Sequence, residues 1–413
     1  MTHADVTTEN IPFFSYNLAK KKIICNNKNM LPVALFVSGM LTSLTCDNVK
    51  ASYQDQSCCS NATEFTIPSQ WLPNTLQEVK DRGYLLCGIA GEAPFTSTVL
   101  IGKPWEGGER ANSSTVLKLS THPIYGESWG PDELKANNIY VDGIDADGCR
   151  AVALAIFNDS SRVAYRPISA ELRFDLLNAK VYDVLFRVST KTFQRERDYK
   201  IKFPFINMYD GMKVASLTLT SLTEMDNKTF CTNTASSAFF QFGAIMKGTR
   251  NIDVNMVNFT NINDCWQLLV SGQVDAVVSD ESFLKGSKKL AGMFSLSYAN
   301  ITIFPEQALT KEPLGPAVRG DDPLWFDLIH QVLNAQVSLW EVENMGGVHH
   351  PLVSGLMQRG GSLLNLVPEA FGNVVNEQGS FRQVFTGAWD NLWGENQLYT
   401  DGGLFYGIPH GVL

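Results

Sequence analysis

The pattern of hydrophobic and polar residues between positions 77 and 188 predicts helices and strands in alternation. Apolar residues recur at helical spacing in some segments and form short apolar runs between them. In chain order the predicted elements are a helix at 77–84, a strand at 84–90, a helix at 145–159, a strand at 162–168, a helix at 170–179 and a strand at 182–188. Such alternation is typical of a mostly parallel sheet covered by helices.

The alternation starts again near residue 211 and defines a second unit. Its predicted elements are a strand at 211–217, a strand at 229–233, a helix at 236–248, a strand at 254–259, a helix at 264–272 and a strand at 274–280. From about residue 313 the chain adds a strand at 315–319 and a helix at 323–340, after which the pattern becomes irregular. Two α/β units followed by a returning segment predict a pair of lobes joined by a hinge.

Two further stretches lack the periodicity of packed elements. Residues 47–74 are polar with few aliphatic side chains, and we expect them to form a linker. Residues 97–138 are rich in Gly, Ser and Asn with scattered aromatic residues, which predicts a long surface insertion. Long insertions add little loop-closure entropy, so the surrounding unit can accommodate this one.

The first 46 residues predict a targeting signal. Four lysines between positions 20 and 28 precede an uncharged run from Leu31 to Thr45, which is shorter than the roughly 20 residues of a membrane-spanning helix and fits a signal-peptide core. The approach to this run is long, so an upstream targeting extension, a start at Met30, a retained anchor and a buried core helix stay open as alternatives. No other run in the sequence is long enough to span a bilayer, which excludes a channel with membrane-spanning helices.

Composition and charge exclude several classes of function. The 413 residues are 44% hydrophobic and 18% charged, an ordinary balance for a globular protein. Because the net charge is −9, neither nucleic acid nor an anionic membrane surface is an expected partner. The sequence contains no P-loop and no dinucleotide-binding fingerprint.

The cysteines and the glycosylation sequons indicate the cellular compartment of the protein. None of the eight cysteines belongs to a CxxC pair, which argues against a zinc ribbon or a redox motif. Behind a signal peptide, the four cysteines after residue 80 predict two disulfides, with four buried thiols as the alternative. Six N-x-S/T sequons permit glycosylation in a secretory pathway.

Five motifs, in this order along the chain, resemble the polar amino-acid solute-binding proteins of ABC importers. They are Gly88 with Pro94 and Phe95, GIDADGCRAVA at 143–153, RFDLLNAKVYDVLFRVSTKTFQRERD at 173–198, DAVVSD at 275–280 and KEPLGPAVRGDDPLWFDLI at 311–329. KEPLGPAVR, the cysteine in GCRA and the final GGLFYGIP are similar to the general L-amino-acid-binding branch. The resemblance runs from about residue 75 to the C-terminus, apart from 97–138 and weak matching at 345–385.

The resemblance implies an α/β fold of the type II periplasmic-binding class. Each lobe would be a mostly parallel sheet flanked by helices, and two chain crossings would form the hinge. The first lobe would comprise 75–209 and 313–413, with the insertion at 97–138, and the second lobe would comprise 210–312. Ligand would bind in the cleft and be buried when the lobes close.

A ligand carboxylate needs a guanidinium fork, whose fixed donors match two oxygens. The family places this arginine in a T-x-T-x-x-R pattern, and Thr190, Thr192 and Arg195 fit every fixed position. The resemblance therefore implies that Arg195 binds the ligand carboxylate, while the two hydroxyls donate to the ligand or cap the local backbone. The alternative is that Arg195 is a solvated residue in a charged helix start.

The resemblance also implies second-lobe partners for the ligand. Asp280, at the end of a predicted strand, would face the ammonium, and its alternative role is a helix N-cap. Ser236 and Ser237 would donate from a helix N-terminus, whose dipole favours a carboxylate. Ala235 replaces the usual glycine there, a change that matters only if φ is positive. Phe95 of the first motif is the remaining candidate for ligand binding.

Two positions depart from the family's pattern and touch side-chain recognition. Glu92 stands where a stacking aromatic residue is common, and Lys191 stands between the two threonines. The α-carboxylate and α-ammonium anchors are unaffected, so recognition of the amino-acid backbone is expected while the side-chain specificity is open.

The resemblance to general amino-acid binders extends to the disulfides. Related proteins have a bridge like Cys87–Cys149, and Cys231–Cys265 is the expected second pair, although Cys265 does not lie where the family's partner is expected. Each pair joins a predicted strand to a helix that should pack on the same sheet.

The implied function is the binding of a free L-amino acid by an extracytoplasmic protein, either periplasmic or secreted. The resemblance implies no cofactor, no metal and no catalysis. In a bacterium the partner would be an ABC permease, and elsewhere an unknown protein. One alternative is a structural or interaction module that reuses the fold with a decayed pocket. Another is a cyclohexadienyl-dehydratase-like lyase that uses Glu92 as its acid. His349–His350 have no further ligands nearby, so a metal site is not expected there.

Overall fold

A computed structural model describes residues 73–93, 95–101, 129–137, 139–260, 262–292, 300–344, 357–388 and 395–407. The expected targeting segment, all but the last two residues of the expected linker, and His349–His350 lie outside these residues. Within them, no helix combines the length and the apolar character needed to cross a membrane.

A three-stranded parallel sheet forms the centre of the first lobe. In chain order the elements of this lobe are α1 (Thr75–Arg82), β1 (Leu85–Ile89), β2 (Glu92–Ala93), β3 (Ser97–Ile101), α2 (Pro131–Ala136), β4 (Ile139–Asp142), α3 (Ile144–Phe157), β5 (Val163–Pro167), α4 (Arg173–Asn178), β6 (Val184–Leu185), α5 (Phe193–Tyr199) and β7 (Ile201–Lys202). The sheet order is β5-β1-β6, and both pairings are parallel.

Helix α3 packs closely on this sheet because small residues line its buried face. Ala146, Cys149 and Ala153 are fully buried. A Cβ atom added to Gly148 would lie 2.3 Å from the ring of Phe186, so glycine is required for this approach. The predicted βαβ pattern is therefore observed, with the helix and the central strand in direct contact.

Part of 97–138 is not the surface insertion that composition predicted, whereas α2 within it has no buried residue. Strand β3 pairs antiparallel with β2 and β4, and its Val99 is fully buried. Trp129 is 2% exposed and forms an antiparallel bridge with Tyr165. The polar composition concealed the strand because Ser97 is buried with its hydroxyl oxygen accepting hydrogen bonds from two backbone amides.

The second lobe is built on a five-stranded mixed sheet. Its elements are β9 (Met212–Ser216), β10 (Lys228–Asn233), α6 (Ser237–Arg250), β11 (Val254–Phe259), α7 (Ile262–Val270), β12 (Ala276–Asp280), α8 (Glu281–Gly292) and β13 (Thr302–Phe304), preceded by the crossing strand β8 (Met208–Asp210). The order is β11-β10-β12-β9-β13. The first three strands are parallel, and β9 and β13 run antiparallel to their neighbours.

Two chain crossings connect the lobes. Strand β8 enters the second lobe, and β14 (Glu312–Leu314) leaves it; the two pair antiparallel, with Asp210 opposite Glu312. The chain then forms β15 (Val318–Arg319), which pairs antiparallel with β7 of the first lobe. The result is the two-lobed α/β architecture that the sequence pattern predicted, with the two chain crossings that the resemblance implied.

The returning segment completes the first lobe with helices. The long helix α9 (Pro323–Asn344) packs in the first-lobe core through its buried face. The irregular structure expected beyond it was wrong, because α10 (Ala370–Gln378) and α11 (Phe381–Ala388) follow. Helix α10 buries residues one turn apart, namely Ala370, Phe371, Val374 and Val375. Its Gly372 and Asn373 interrupted the apolar pattern in the sequence.

Each lobe contains one disulfide that joins a central strand to a covering helix. Cys87 of β1 is bonded to Cys149 of α3, with Cα atoms 6.2 Å apart. Cys231 of β10 is bonded to Cys265 of α7, with Cα atoms 5.4 Å apart. Because each bridge lies within one lobe, neither restrains the hinge.

Candidate functional site

A cavity of about 160 Å³ lies between the two lobes. The first lobe lines it with Ala90, Ala93, Ile168, Ser169, Ala170, Arg173, Arg187, Val188, Thr190 and Arg195. The second lobe lines it with Asn233, Ser236, Ser237, Thr260, Ile262, Ser279, Asp280 and Phe283. The structure therefore brings together five of the candidate residues, namely Arg195, Asp280, Thr190, Ser236 and Ser237.

The position of the cavity follows from the sheet topology. Strand β1 ends one residue before Ala90, and strands β10 and β12 end at Asn233 and Asp280. All three residues line the cavity. Open α/β sheets bind ligands in the crevice at the carboxyl ends of their parallel strands, and here two such sheets face one crevice.

Arg195 is held by the two threonines of its motif. Thr192 caps helix α5, and its hydroxyl oxygen accepts a hydrogen bond of 3.1 Å from the backbone amide of Arg195. One terminal guanidinium nitrogen of Arg195 donates to the backbone carbonyl of Thr190 at 2.7 Å. Burial lowers the pKa of Arg195, while the negative charges of Glu312 and Asp280 act in the opposite direction. The motif thus fixes the guanidinium and leaves its other donors for a ligand.

Asp280 lies at the junction of β12 and α8, on the second-lobe wall of the cavity. Burial raises the pKa of Asp280 well above its usual value, and the nearby charges of Asp210 and Glu312 raise it further. The positive charges of Arg195 and Arg173 oppose this rise. A ligand ammonium beside Asp280 would add a counter-charge that favours its ionised form.

Asp210, in the hinge strand β8, accepts hydrogen bonds from backbone amides close to Asp280. The backbone amide of Ser282, in the first turn of α8, donates to both carboxylate oxygens of Asp210 at 3.3 and 3.2 Å. The amide of Gly211 donates to the same carboxylate at 2.7 Å. Burial raises the pKa of Asp210 to about 6 despite these bonds. Because Asp210 satisfies a helix amide, both oxygens of Asp280 can serve the cavity.

The N-terminus of helix α6 provides the hydroxyls of the second lobe. Ser236 caps the helix: its hydroxyl oxygen accepts from the backbone amide of Phe239 at 3.2 Å and donates to the carbonyl of Asn233 at 2.7 Å. Ser237 is the first helical residue, and both serines line the cavity. Ala235 does not have a positive φ, so alanine is compatible with this corner, where the family has glycine.

Two candidate residues lie outside the cavity lining. The Thr192 side chain caps α5, as described above, and contributes indirectly. Phe95 has a φ of 70° and is buried in a hydrophobic cluster that includes Ile144, whose amide donates to the Phe95 carbonyl at 3.0 Å. Lys191 donates to the carbonyl of Phe203 at 3.5 Å and is exposed. The side chain of Glu92 lies outside the described part of the structure.

Two arginines in the cavity were not singled out from the sequence. Arg173 begins α4, and Arg187 follows β6; both line the cavity together with Arg195. Both belong to the 173–198 segment, but only the T-x-T-x-x-R pattern within it pointed to ligand binding. The signal that could have found them is that the segment carries further arginines besides Arg195, among them one at the start of α4 and one two residues after β6.

A buried aspartate fixes the loop that follows β6. One carboxylate oxygen of Asp145 accepts from the backbone amide of Val188 at 3.1 Å, and the other accepts from the side-chain amide of Asn207 at 3.0 Å. Burial raises the pKa of Asp145 to about 6. Since Val188 lines the cavity, Asp145 connects helix α3 to the cavity wall.

Fold and site together define a class of protein. Two α/β lobes joined by two crossing strands enclose a small cavity with guanidinium groups on one wall and a carboxylate on the other. In the described part of the chain, no cluster of three or more His, Cys, Asp or Glu side chains is arranged to hold a metal ion. This is the architecture of a two-lobed protein that binds a small charged molecule in its cleft.

Comparison with known proteins specifies the class. The chain is 29% identical over 356 residues to the glutamate/glutamine/aspartate/asparagine-binding protein BztA of Rhodobacter capsulatus, a match that covers 81% of this chain and 93% of that protein. It is 28% identical over 356 residues to the general L-amino acid-binding periplasmic protein AapJ of Rhizobium johnstonii, covering 81% and 92%. No protein-family model matches the sequence.

A solved structure agrees with these relatives. The ABC transporter periplasmic binding protein of Brucella ovis, with glutathione bound, superimposes with a TM-score of 0.65 at 25% identity, covering 82% of this chain and 99% of that chain. The expected fold class is therefore confirmed, and so is the resemblance to the amino-acid-binding proteins of ABC importers. These three proteins are named as binding proteins.

Proposed function

We propose that this protein is an extracytoplasmic binding protein that closes on a free L-amino acid and delivers it to an ABC permease. The relatives that support this proposal are named as amino-acid-binding proteins, one of them periplasmic. The observation that carries it is the placement of Arg195 and Asp280 on opposite walls of one cavity.

The charges of the cavity match the charges of an amino acid. Burying a carboxylate or an ammonium without a partner costs several kcal/mol. Arg195 offers a fixed fork to the carboxylate, and the hydroxyls of Ser236 and Ser237 lie at a helix N-terminus that also favours an anion. Asp280 offers the counter-charge for the ammonium. Because these groups belong to different lobes, only the closed form satisfies both ends of one ligand.

The described lining of the cavity is suited to holding a charged ligand. Its one carboxylate among the described lining residues is Asp280, which the ligand ammonium would occupy. Residues 126–130 read GESWG and match the G-x-S-x-G pattern of hydrolase nucleophiles. Ser128 of this pattern lies outside the described residues, and the proposal does not rest on it.

Isothermal titration calorimetry with a panel of L-amino acids tests the proposal. We expect saturable heat from at least one amino acid with the full chain. Arg195→Gln should remove this binding while thermal unfolding stays native-like, because a ligand carboxylate left unpaired costs about 3–5 kcal/mol. Arg197→Gln is the matched control, since Arg197 belongs to the same helix but is exposed and paired with Asp198.

The proposal would be refuted by either of two results. The first is the absence of heat with every amino acid in the panel. The second is native-like affinity in the Arg195→Gln variant, which would show that this guanidinium does not hold the ligand.

A further inference from the structure

The cavity has more positive charge than a neutral amino acid requires. A zwitterion presents one carboxylate, which a single guanidinium can bind. Arg173 and Arg195 nevertheless both line the cavity. The ring of Phe174 lies beside both guanidinium groups. Its centroid is 4.8 Å from the guanidinium carbon of Arg173 and 5.6 Å from the guanidinium carbon of Arg195. The two cations are therefore neighbours on the same wall.

Arg173 is held in place without a carboxylate. Its terminal nitrogens donate to the backbone carbonyls of Ala170 at 2.8 Å and of Ala235 at 3.4 Å. Its Nε is buried and has no hydrogen-bond partner among the residues that the structure describes, and the residue is only 4% exposed. Burial and the charges of Arg195 and Arg187 lower the pKa of Arg173. An anion in the cavity would offset both the cost of burying the charge of Arg173 and its repulsion by the other two arginines.

The nearby carboxylates do not supply this anion. Asp280 lies on the opposite wall, where an ammonium needs it. Glu312 does not line the cavity, and its carboxylate accepts from the hydroxyl of Thr310 at 2.9 Å. Asp210 accepts backbone amides of the second lobe. Among the described side chains no carboxylate meets the remaining demand for negative charge, and a ligand carboxylate would meet it.

We propose that the ligand carries a second carboxylate and is an acidic amino acid, with its α-carboxylate on Arg195 and its side-chain carboxylate on Arg173. This specifies the ligand class of the function proposed above and rests on it. Arg187, whose Nε donates to the carbonyl of Ile168 at 2.7 Å, adds positive charge to the same wall.

The size of the cavity favours one amino acid over a peptide with the same groups. Glutathione also has two carboxylates and one ammonium, so charge alone does not separate it from glutamate. A cavity of about 160 Å³ is smaller than the roughly 300–1,000 Å³ of pockets for drug-sized ligands. We therefore assign the site to a single acidic residue.

Pairs of isosteric ligands test the second carboxylate. Calorimetry with the full chain compares glutamate with glutamine and aspartate with asparagine, with glutathione as a separate titration. We expect at least one acid to bind at least about tenfold more tightly than its amide, since a buried guanidinium would otherwise stay unpaired. Equal affinities, or tighter binding of the amide, would overturn the assignment and leave amino-acid binding itself intact.

The variant Arg173→Gln tests whether Arg173 causes the preference for the acid over its amide. In this variant we expect the ratio of acid to amide affinity to approach one, with the amide affinity little changed. The control is Arg162→Gln, at an exposed arginine of the same lobe, which should preserve the wild-type ratio. An equal loss for acid and amide would show a structural role for Arg173 and contradict the proposal. If Arg173→Gln does not fold, the wild-type ratio still decides. Binding of glutathione with no amino acid would refute the free amino acid as ligand, and no binding at all would refute the proposed function.

Discussion

The carboxyl group of Asp280 couples ligand binding to protons. In the empty cavity burial and the charges of Asp210 and Glu312 raise the pKa of Asp280, so protonation is favoured at pH values where an exposed aspartate is ionised. A bound ammonium favours the ionised carboxylate. Binding should therefore displace a proton from Asp280 and weaken as the pH falls through its raised pKa.

Calorimetric titrations in two buffers with different ionisation enthalpies measure the release of this proton. At a pH below the raised pKa of Asp280, the apparent binding enthalpy should change from one buffer to the other in the direction of proton release. Asp280→Asn should remove the buffer dependence and weaken binding, because the amide has no charge for the ammonium. A binding enthalpy that is identical in both buffers at every pH tested would contradict the assignment of Asp280.

Single residues show where sequence patterns inform about the site and where they do not. The fixed spacing of Thr190, Thr192 and Arg195 identified residues that the fold places around one guanidinium. Phe95 belonged to an equally recognisable motif, yet its side chain is buried in the core beside the site. Arg173 was missed because an excess of charge in a cavity depends on which side chains the fold brings together.

At the scale of elements, periodicity predicted the strands and helices that surround the cavity. Regular apolar spacing identified α6, α7 and the strands β10, β11 and β12. It failed where packing rather than composition decides the structure. Strand β3 buries serine and threonine whose hydroxyls are satisfied by the backbone, and α10 contains Gly372 and Asn373 within its apolar face.

The second-lobe disulfide supports the strand that ends at the cavity. Cys231 belongs to β10, which ends at Asn233, and Cys265 anchors α7 to it. Replacing both cysteines with alanine should lower the free energy of unfolding by about 2–5 kcal/mol, as measured by urea denaturation. The variant is compared with wild-type protein under non-reducing conditions, because a reductant would also open the Cys87–Cys149 bridge. Peptide mapping that finds these thiols free, or paired with Cys87 or Cys149, would contradict the bridge.

At the scale of the whole molecule, two long hydrogen bonds cross the cleft between described residues of the lobes. Arg173 donates to the second-lobe carbonyl of Ala235 at 3.4 Å, and the hydroxyl of Thr260 donates to Glu171 of the first lobe at 3.4 Å. Both distances are at the weak end of hydrogen bonding. A ligand that bridges Arg195 and Asp280 would add stronger, charge-assisted bonds, so the closed form should gain its stability from the ligand.

Small-angle X-ray scattering of the full chain, with and without a mixture of L-amino acids, tests ligand-driven closure directly. We expect a smaller radius of gyration with ligand than without, and no change in the Arg195→Gln variant, because ligand affinity for the closed form is what shifts the population. A structural module that has lost its ligand would show one shape under all conditions. An unchanged radius of gyration for the wild-type protein at saturating amino acid would contradict the account.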